Sequence, residues 1–539
     1  LGVPPDFGVS VGADYELMRE AALNDALEAA YSGMDSDFAD MVENFGNGRD
    51  DSALFNALLS LQQALSADPD PAGFRARALE VFGEDRKARQ ALKETVKDYA
   101  RGRLADLAGS FERVCAALDG RGDERLSAAV LPLMREDMDI IAGLCDALSQ
   151  PGFTAARSAF SGARFSSFPS LRGYADDTLK QRSHSLHGEL KKQVADMADG
   201  IFSMSDADIE EDAARLYPMV RALFRVEEDF EKRLRERLLR RGLLSFPEIA
   251  RLAMTLLVEK YDRASGRVTP TELAVTLSGE LDEVMIDEYQ DTNLLQDIVF
   301  TALSDGGRKL FCVGDGKQSI YRFRQAMPEI FEARKESARP FGEGFPALVW
   351  LSDNFRSRSG ILDFTNFVFG QIMSKRVGGT DYTGGERLRC GARYPDVTKP
   401  QVELHILRAE ESGKGSDGAP AGETATDADD GGPVYSPEAS ARYTARAIKS
   451  LIDGGFSVYD RASGAMRPCR PSDCAVLLRS ASVNGEIFRR ALESEGLPAY
   501  CETSSGFFDS YEIAMMLEVL SAVDNPHRDI PLLAALRSP

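Results

Sequence analysis

From about Asp14 to Arg241, apolar residues recur three and four positions apart, as in Leu17, Ala21, Ala22 and Leu27, against a background of Ala, Leu, Glu, Arg and Met. That spacing gathers one apolar stripe on a helix, so the segment is expected to be nearly all helical. After Gly242 the pattern changes to short β-rich runs separated by helical stretches: 284–286, 310–313 and 348–351. Strands alternating with helices predict a parallel α/β sheet, and such sheets bind ligands at the carboxyl ends of their strands. Two further strand-like runs, VELHIL (402–407) and CAVLLRS (474–480), flank residues 409–437, which carry seven acidic residues against one Lys. Having almost no bulky apolar groups, that segment is expected to be a disordered loop interrupting one α/β domain. The chain shows no internal repeat on this reading.

A chain of 539 residues exceeds what one hydrophobic core usually serves, which predicts two to four domains. No apolar run approaches a membrane span, and a composition of 43% hydrophobic and 28% charged residues is that of a globular protein. Seven cysteines form no CxxC pair, and four histidines form no HExxH, so zinc, iron–sulfur and disulfide-scaffold readings fall away. The start, LGVPPDFGVS, has neither the basic region nor the apolar stretch of a signal peptide. With no Met there and with the ending LRSP, the chain is expected to be a piece of a longer protein. A net charge of −22 argues mildly against nucleic acid, although a narrow positive groove can hide in an acidic average. Two basic stretches, Lys180 to Lys192 and Lys232 to Arg241, are read first as solvated helix faces.

The stretch VMIDEYQDTN (284–293) runs an apolar strand into two adjacent carboxylates, which are costly to desolvate unless paired, hydrogen-bonded or metal-bound. This is the Walker B arrangement, in which Asp287 would hold Mg²⁺ beside nucleotide phosphates and Glu288 would orient or deprotonate the attacking water. The competing reading is helix capping by Asp291, Thr292 or Asn293, with Asn293 and Gln296 at box-like spacing; capping accounts for neither Asp287 nor Glu288.

The next strand opens LFCVGDGKQSIYRFRQA (310–326), again ending in polar groups. Gln318 could sense a phosphate, and Tyr321, Phe323 and Arg324 offer the rings and guanidinium that single-stranded nucleic acid stacks on; the alternative for these three is core packing. GDGKQS is no Walker A loop, because GxxxxGK[ST] would need Gly at 311 and Ser or Thr at 318, where the chain has Phe311 and Gln318. No other stretch fits. In WLSDNFRSRSGILDFTN (350–366), Phe355 could stack on an adenine and Arg356 could reach a γ-phosphate as an arginine finger.

DEYQDTN, VGDGKQSIYRFRQA and LSDNFRS, in this order and spacing, resemble motifs II, III and IV of superfamily 1 DNA helicases of the UvrD/Rep type. They are similar in particular to AddA subunits of the bacterial AddAB helicase–nucleases, relatives of RecB. PDFGVSVGADYELM, TNFVFGQIM, DCAVLLRS, GFFDSYEI and VDNPHRDIPLLAALRSP extend the resemblance along the chain, while residues 36–241 match by character more than by motif.

The resemblance implies an α/β fold of RecA-like parallel-sheet domains with a large all-helical 1B insertion. Residues 1–242 would form domain 1B, 243–348 the C-terminal part of 1A, 349–525 most of 2A and 526–539 the start of 2B. ATP would sit between 1A and 2A. Asp287 would bind Mg²⁺, Glu288 would activate water, Gln318 would couple the γ-phosphate to DNA, and Phe355 and Arg356 would contact the nucleotide. Tyr321 and Phe323 would stack on single-stranded DNA, with Arg324 joining the coupling network; Phe323 stands where relatives often carry Trp. SFPEIA (245–250) departs from the acidic run such relatives tend to have. The implied activity is a 3′ to 5′ ATP-dependent DNA translocase and helicase in a cytoplasmic bacterial double-strand-break repair complex, acting on single- and double-stranded DNA with an AddB-type second subunit. The Walker A Lys, motifs V and VI and the nuclease carboxylates are absent from these residues, so this chain by itself is not expected to hydrolyse ATP efficiently. The alternatives are a stand-alone UvrD-like or RecB helicase, and a non-catalytic DNA-binding module.

Overall fold

The computed structural model describes residues 3, 6–33, 35–45, 51–83, 85–120, 123–170, 173–174, 177–396, 401–407, 436–501 and 511–537. Most of the acidic segment 409–437, and part of GFFDSYEI, lie outside them. The chain divides into two units, one of residues 1–350 and 372–382 and one of residues 351–371 and 383–539.

The first unit begins with a helical region, as the periodicity predicts. Its helices are α1 (Gly12–Gly33), α2 (Ser36–Phe45), α3 (Ser52–Ser66), α4 (Pro71–Phe82), α5 (Arg86–Gly120), α6 (Glu124–Ser149), α7 (Thr154–Gly162), α8 (Thr178–Asp199) and α9 (Asp206–Arg240). Local chemistry sets several starts. The Ser205 hydroxyl and the Asp208 carboxylate form a reciprocal capping box on α9, and Asp177 accepts from two backbone N–H groups of α8, satisfying donors the helix leaves orphaned. Two apolar clusters result. One joins α5 to α8 around Leu104, Phe111, Leu126, Met134, Leu190 and Phe202; the other joins α1, α2, α3 and α9 around Leu23, Phe38, Met41, Leu58 and Phe230.

A two-residue parallel ladder, β1 (Gly8–Val9) with β2 (Leu243–Leu244), ties the start of the described chain to the end of the helical region. It is too short for periodicity to announce. The α/β part follows: α10 (Phe246–Leu257), β3 (Val258–Asp262), β4 (Arg267–Pro270), α11 (Glu272–Glu280), β5 (Val284–Ile286), α12 (Leu294–Leu303), β6 (Leu310–Cys312), α13 (Pro328–Ser337), β7 (Arg339–Pro340) and β8 (Ala347–Leu348). Strands β5 and β6 pair in parallel, Met285 opposite Phe311. A small cluster of Leu257, Val258, Ala274, Ile298 and Ala302 packs α10, α11 and α12 on the antiparallel β3–β4 hairpin.

The second unit holds β9 (Asp353–Asn354), most of α14 (Ser359–Ile372), β10 (Arg389–Cys390), α16 (Pro437–Asp453), the β11 (Ser457–Asp460) and β12 (Ala465–Pro468) hairpin, α17 (Ala481–Ser494), α18 (Tyr511–Asp524) and α19 (Asp529–Leu536); α15 (Lys375–Gly378) belongs to the first unit. Here β9 and β10 pair in parallel.

Four expectations are corrected. The expected strands at 402–407 and 474–480 carry no strand ladder: an alternating or continuous apolar run supplies a face, but a strand also needs a backbone partner. The run at 348–351 yields only Ala347–Leu348, paired with β7. The apolar run before Asp287, whose composition reads as a buried strand, is not buried: Met285 is 68% exposed and Val284 and Ile286 are half-buried. Finally, a short internal repeat does exist: Tyr-Asp-Arg-Ala-Ser-Gly occurs at 261–266 and again at 459–464, and each copy makes the turn of an antiparallel hairpin. At six residues it is far shorter than the periods that mark repeat architectures.

Candidate functional site

Asp287 and Glu288 leave the carboxyl end of β5, both exposed. The Glu288 N–H donates to Asp287 Oδ1 at 2.9 Å, and Glu288 takes a left-handed backbone with φ 51°. A glutamate in that region costs of order 1–3 kcal/mol and persists only where surroundings impose it. The next residue shows how. Tyr289 is fully buried, its N–H donates to Val313 O at 2.9 Å, and its hydroxyl donates to Asp297 Oδ1 at 2.6 Å. Arg334 reaches the same carboxylate at 2.6 Å and lies over the Tyr289 ring at 5.5 Å. Burial, then the Asp297 charge, push the Tyr289 phenol well above its ordinary value, so it remains a donor. Burial likewise pushes the Cys312 thiol on β6 up to about 11.

Gln290, only 2% exposed, bridges two loops. Its Nε2 donates to Glu288 Oε2 at 2.6 Å, and its Oε1 accepts from the Asp315 N–H at 2.8 Å. Asp315 in turn accepts from Lys317 Nζ through Oδ1 and from Gln318 Nε2 through Oδ2, both at 2.7 Å. A continuous hydrogen-bonded line therefore runs from Glu288 to Gln318. Gly314 makes the approach possible, because a Cβ there would stand 2.6 Å from Gln290 Oε1 and 3.1 Å from the Tyr289 nitrogen. Sequence reasoning assigned Glu288 and Gln318 but missed Gln290 and Asp315; the signal available was an amide immediately inside a motif rich in charge.

The capping reading also holds. Asn293 accepts from the Gln296 N–H and Gln296 accepts from the Asn293 N–H, a capping box opening α12.

Beyond Gln318, Tyr321 and Phe323 face each other at 5.8 Å and 53°, and Arg324 lies 5.0 Å from the first ring and 5.6 Å from the second. Phe323 is 63% exposed, which rules out core packing for it. Gln63 on α3 donates to the Phe323 carbonyl at 2.9 Å, and Gln325 follows in the left-handed region with φ 65°. Of the three described non-glycine residues with positive φ, two, Glu288 and Gln325, thus lie in these loops.

Phe355 and Arg356 belong to the second unit. They follow β9, where Asn354 Oδ1 accepts from the N–H groups of Arg356 and Ser357 at 2.9 and 2.8 Å. Both side chains are exposed, and the Phe355 ring lies against Gly391.

The basic stretches keep their structural reading. In α9, Arg233 pairs with Asp229, Arg235 with Glu248, Arg237 with Asp25 and Arg240 with Glu236. In α8, Leu186, His187 and Leu190 are buried while Arg182, Lys191 and Lys192 face outward.

Residues 167–339 match the family described as UvrD/REP helicase N-terminal domain. Over its whole length the chain is similar to proteins named as the A component of an ATP-dependent helicase/nuclease. It is 30% identical to that of Geobacillus thermodenitrificans over 544 residues, covering 43% of that protein, and equally to that of Geobacillus kaustophilus. The Bacillus cereus protein is 30% identical over 553 residues, 42% of its length. The chain thus spans less than half the length of the curated relatives it matches, and the resemblance read from its motifs is borne out. Among the described residues no helix is long and apolar enough to cross a membrane.

Proposed function

We propose that this chain, a relative of those helicase/nuclease components, is the part of an ATP-dependent DNA helicase that links nucleotide hydrolysis to a single-strand track. The reading takes residues 1–242 as domain 1B, 243–348 as 1A, 349–525 as 2A and 526–539 as the start of 2B. The parent protein would translocate 3′ to 5′ in the bacterial cytoplasm with an AddB-type partner, in double-strand-break repair. The observation that carries it is the line of hydrogen bonds from Glu288 through Gln290 and Asp315 to Gln318, followed three residues later by the ring pair of half-buried Tyr321 and exposed Phe323, with Arg324 beside both.

In this reading Glu288 orients the attacking water and accepts its proton, at a carboxylate oxygen already steered by Gln290. Gln318 meets the terminal phosphate. A change in its contact reaches Asp315 directly, and Tyr321 and Phe323 lie on the same loop, so the state of the phosphate is communicated to the rings on which bases stack. Phe355 would lie on the adenine, and Arg356 would stabilise the charge that develops on the transferred group.

Asp287 is the residue that would hold Mg²⁺. No group of three or more His, Cys, Asp or Glu side chains suited to a metal occurs among the described residues. Mg²⁺ at nucleotide sites takes one or two carboxylates and completes its shell with phosphate oxygens and water, so an exposed aspartate at a strand end fits. When bound, the ion would neutralise phosphate charge.

The sequence holds no GxxxxGK[ST] loop, so the test uses the full-length protein. Glu288→Gln is expected to lower single-strand-stimulated ATP hydrolysis by about 10²- to 10⁴-fold while ATP still binds. Undiminished hydrolysis would remove Glu288 from this role.

A further inference from the structure

The repeated hexapeptide makes one turn twice. In the first copy Asp262 accepts from the Ala264 N–H and the Ser265 hydroxyl; in the second Asp460 accepts from the Ala462 N–H at 3.1 Å and the Ser463 hydroxyl at 2.9 Å. The closing glycines, Gly266 and Gly464, have φ of 68° and 67°, a conformation that disfavours any side chain. The turn is thus a fixed mount, and its third residue, an arginine, projects from the tip.

The two arginines do different work. Arg263 makes a two-point ion pair with Asp68, at 2.6 and 2.7 Å, and so braces the β3–β4 hairpin on the linker before α4. Arg461 instead turns to uncharged groups. Its Nη2 donates to the Phe355 carbonyl and to the Tyr394 hydroxyl, and its guanidinium lies 5.2 Å from the Tyr394 ring. Tyr394 is held on its other sides by Arg358 at 4.7 Å and by the edge of Tyr459, the first residue of the turn, at 5.8 Å and 85°. Its hydroxyl donates to the Arg356 carbonyl. Two successive carbonyls are therefore tied to the hairpin, that of Phe355 directly and that of Arg356 through Tyr394. The N–H groups of Arg356 and Ser357 are tied to Asn354. The backbone of this loop is fixed from both sides while the Phe355 and Arg356 side chains stay exposed.

We propose that Arg461, presented by the second Tyr-Asp-Arg-Ala-Ser-Gly turn and acting with Tyr394, is a positioning residue that holds the Phe355–Arg356 loop in its nucleotide-contacting form. The proposal rests on the reading that Phe355 and Arg356 contact the nucleotide. Fixed backbone carbonyls matter because a finger displaced by about 1 Å forfeits much of its effect on the transition state.

The test measures ATP hydrolysis by the full-length protein with single-stranded DNA, with melting temperature recorded for every variant. Arg461→Ala is expected to lower kcat by about tenfold, and Tyr394→Phe, which removes one hydroxyl from an otherwise intact ring, by about threefold. In an Arg356→Ala background, Arg461→Ala should cause no further loss beyond about twofold, since it acts through the group already removed. Arg263→Ala, the same change in the twin turn, should leave kcat and KM within about twofold. A folded Arg461→Ala protein with unchanged kcat, or one whose loss persists undiminished in the Arg356→Ala background, overturns the proposal. So does a Tyr394→Phe protein with unchanged kcat if Arg461→Ala does not fold. Full hydrolysis by Arg356→Ala alone would instead overturn the role of Arg356, and this inference with it, and is told apart by that single variant.

Discussion

The helical region and the β5–β6 loops of the first unit solve opposite problems. Helices α5 to α8 bury Leu104, Phe111, Leu126 and Phe202 completely, so their stability comes from apolar faces closed against one another. Strands β5 and β6 leave Met285 and Phe311 68% and 56% exposed and bury Tyr289 and Gln290 in the turn beyond. There the order comes from hydrogen bonds among polar groups, which add little net stability but define geometry sharply. A region built to hold a shape for chemistry places its buried groups where direction counts; a scaffold places them where area counts.

The largest effect that would sharpen this contrast is in the helical core. Phe111→Ala is expected to destabilise by about 3–5 kcal/mol through lost burial and the cavity left behind, whereas Met285→Ala on exposed β5 should change stability by less than about 0.5 kcal/mol; urea unfolding of both measures the ratio. Equal losses would break the comparison. Next comes the buried pair of Arg75 with Glu227, where Arg75 donates twice to one carboxylate oxygen, at 2.8 and 2.6 Å. Arg75→Ala strands a fully buried acid and is expected to cost about 3–5 kcal/mol, less where Glu227 takes up a proton.

That proton gives a third test. Burial, opposed by Arg75, pushes the Glu227 carboxyl from 4.5 up to about 7. A raised carboxyl stabilises the fold fully below its unfolded value and loses that contribution as pH climbs to the folded one. Thermal stability should therefore fall between about pH 4.5 and 7 by more in the parent than in Glu227→Gln, and identical slopes would refute it. Smallest is Tyr289→Phe, which removes one hydrogen bond to an Asp297 that keeps Arg334. A cost of about 1 kcal/mol is expected in urea unfolding.

Much of this was legible in the sequence. Apolar spacing and composition marked residues from about Asp14 to Arg241 as nearly all helical, the region that α1 to α9 fill, because a 3.6-residue stripe and its burial are one fact seen twice. The strand end at Ile286, the second strand to within one residue of its end at Cys312, and the box of Asn293 and Gln296 followed from local patterning. VELHIL, which alternates, and CAVLLRS, a continuous apolar run, form no ladder because neither pattern says which backbone lies alongside. The hexapeptide repeat was overlooked because six residues carry no period, only a turn.

The sequence by itself determined which segments are helical, which strands end in carboxylates, and which side chains the loops carry, since each depends on neighbours a few residues away. Only the tertiary structure decided that Gln290 joins Glu288 to Asp315 across 25 residues, and that Arg461 reaches the Phe355 carbonyl from 106 residues away. A hydrogen bond between distant segments is fixed by where packing brings their backbones, and no local pattern encodes that meeting.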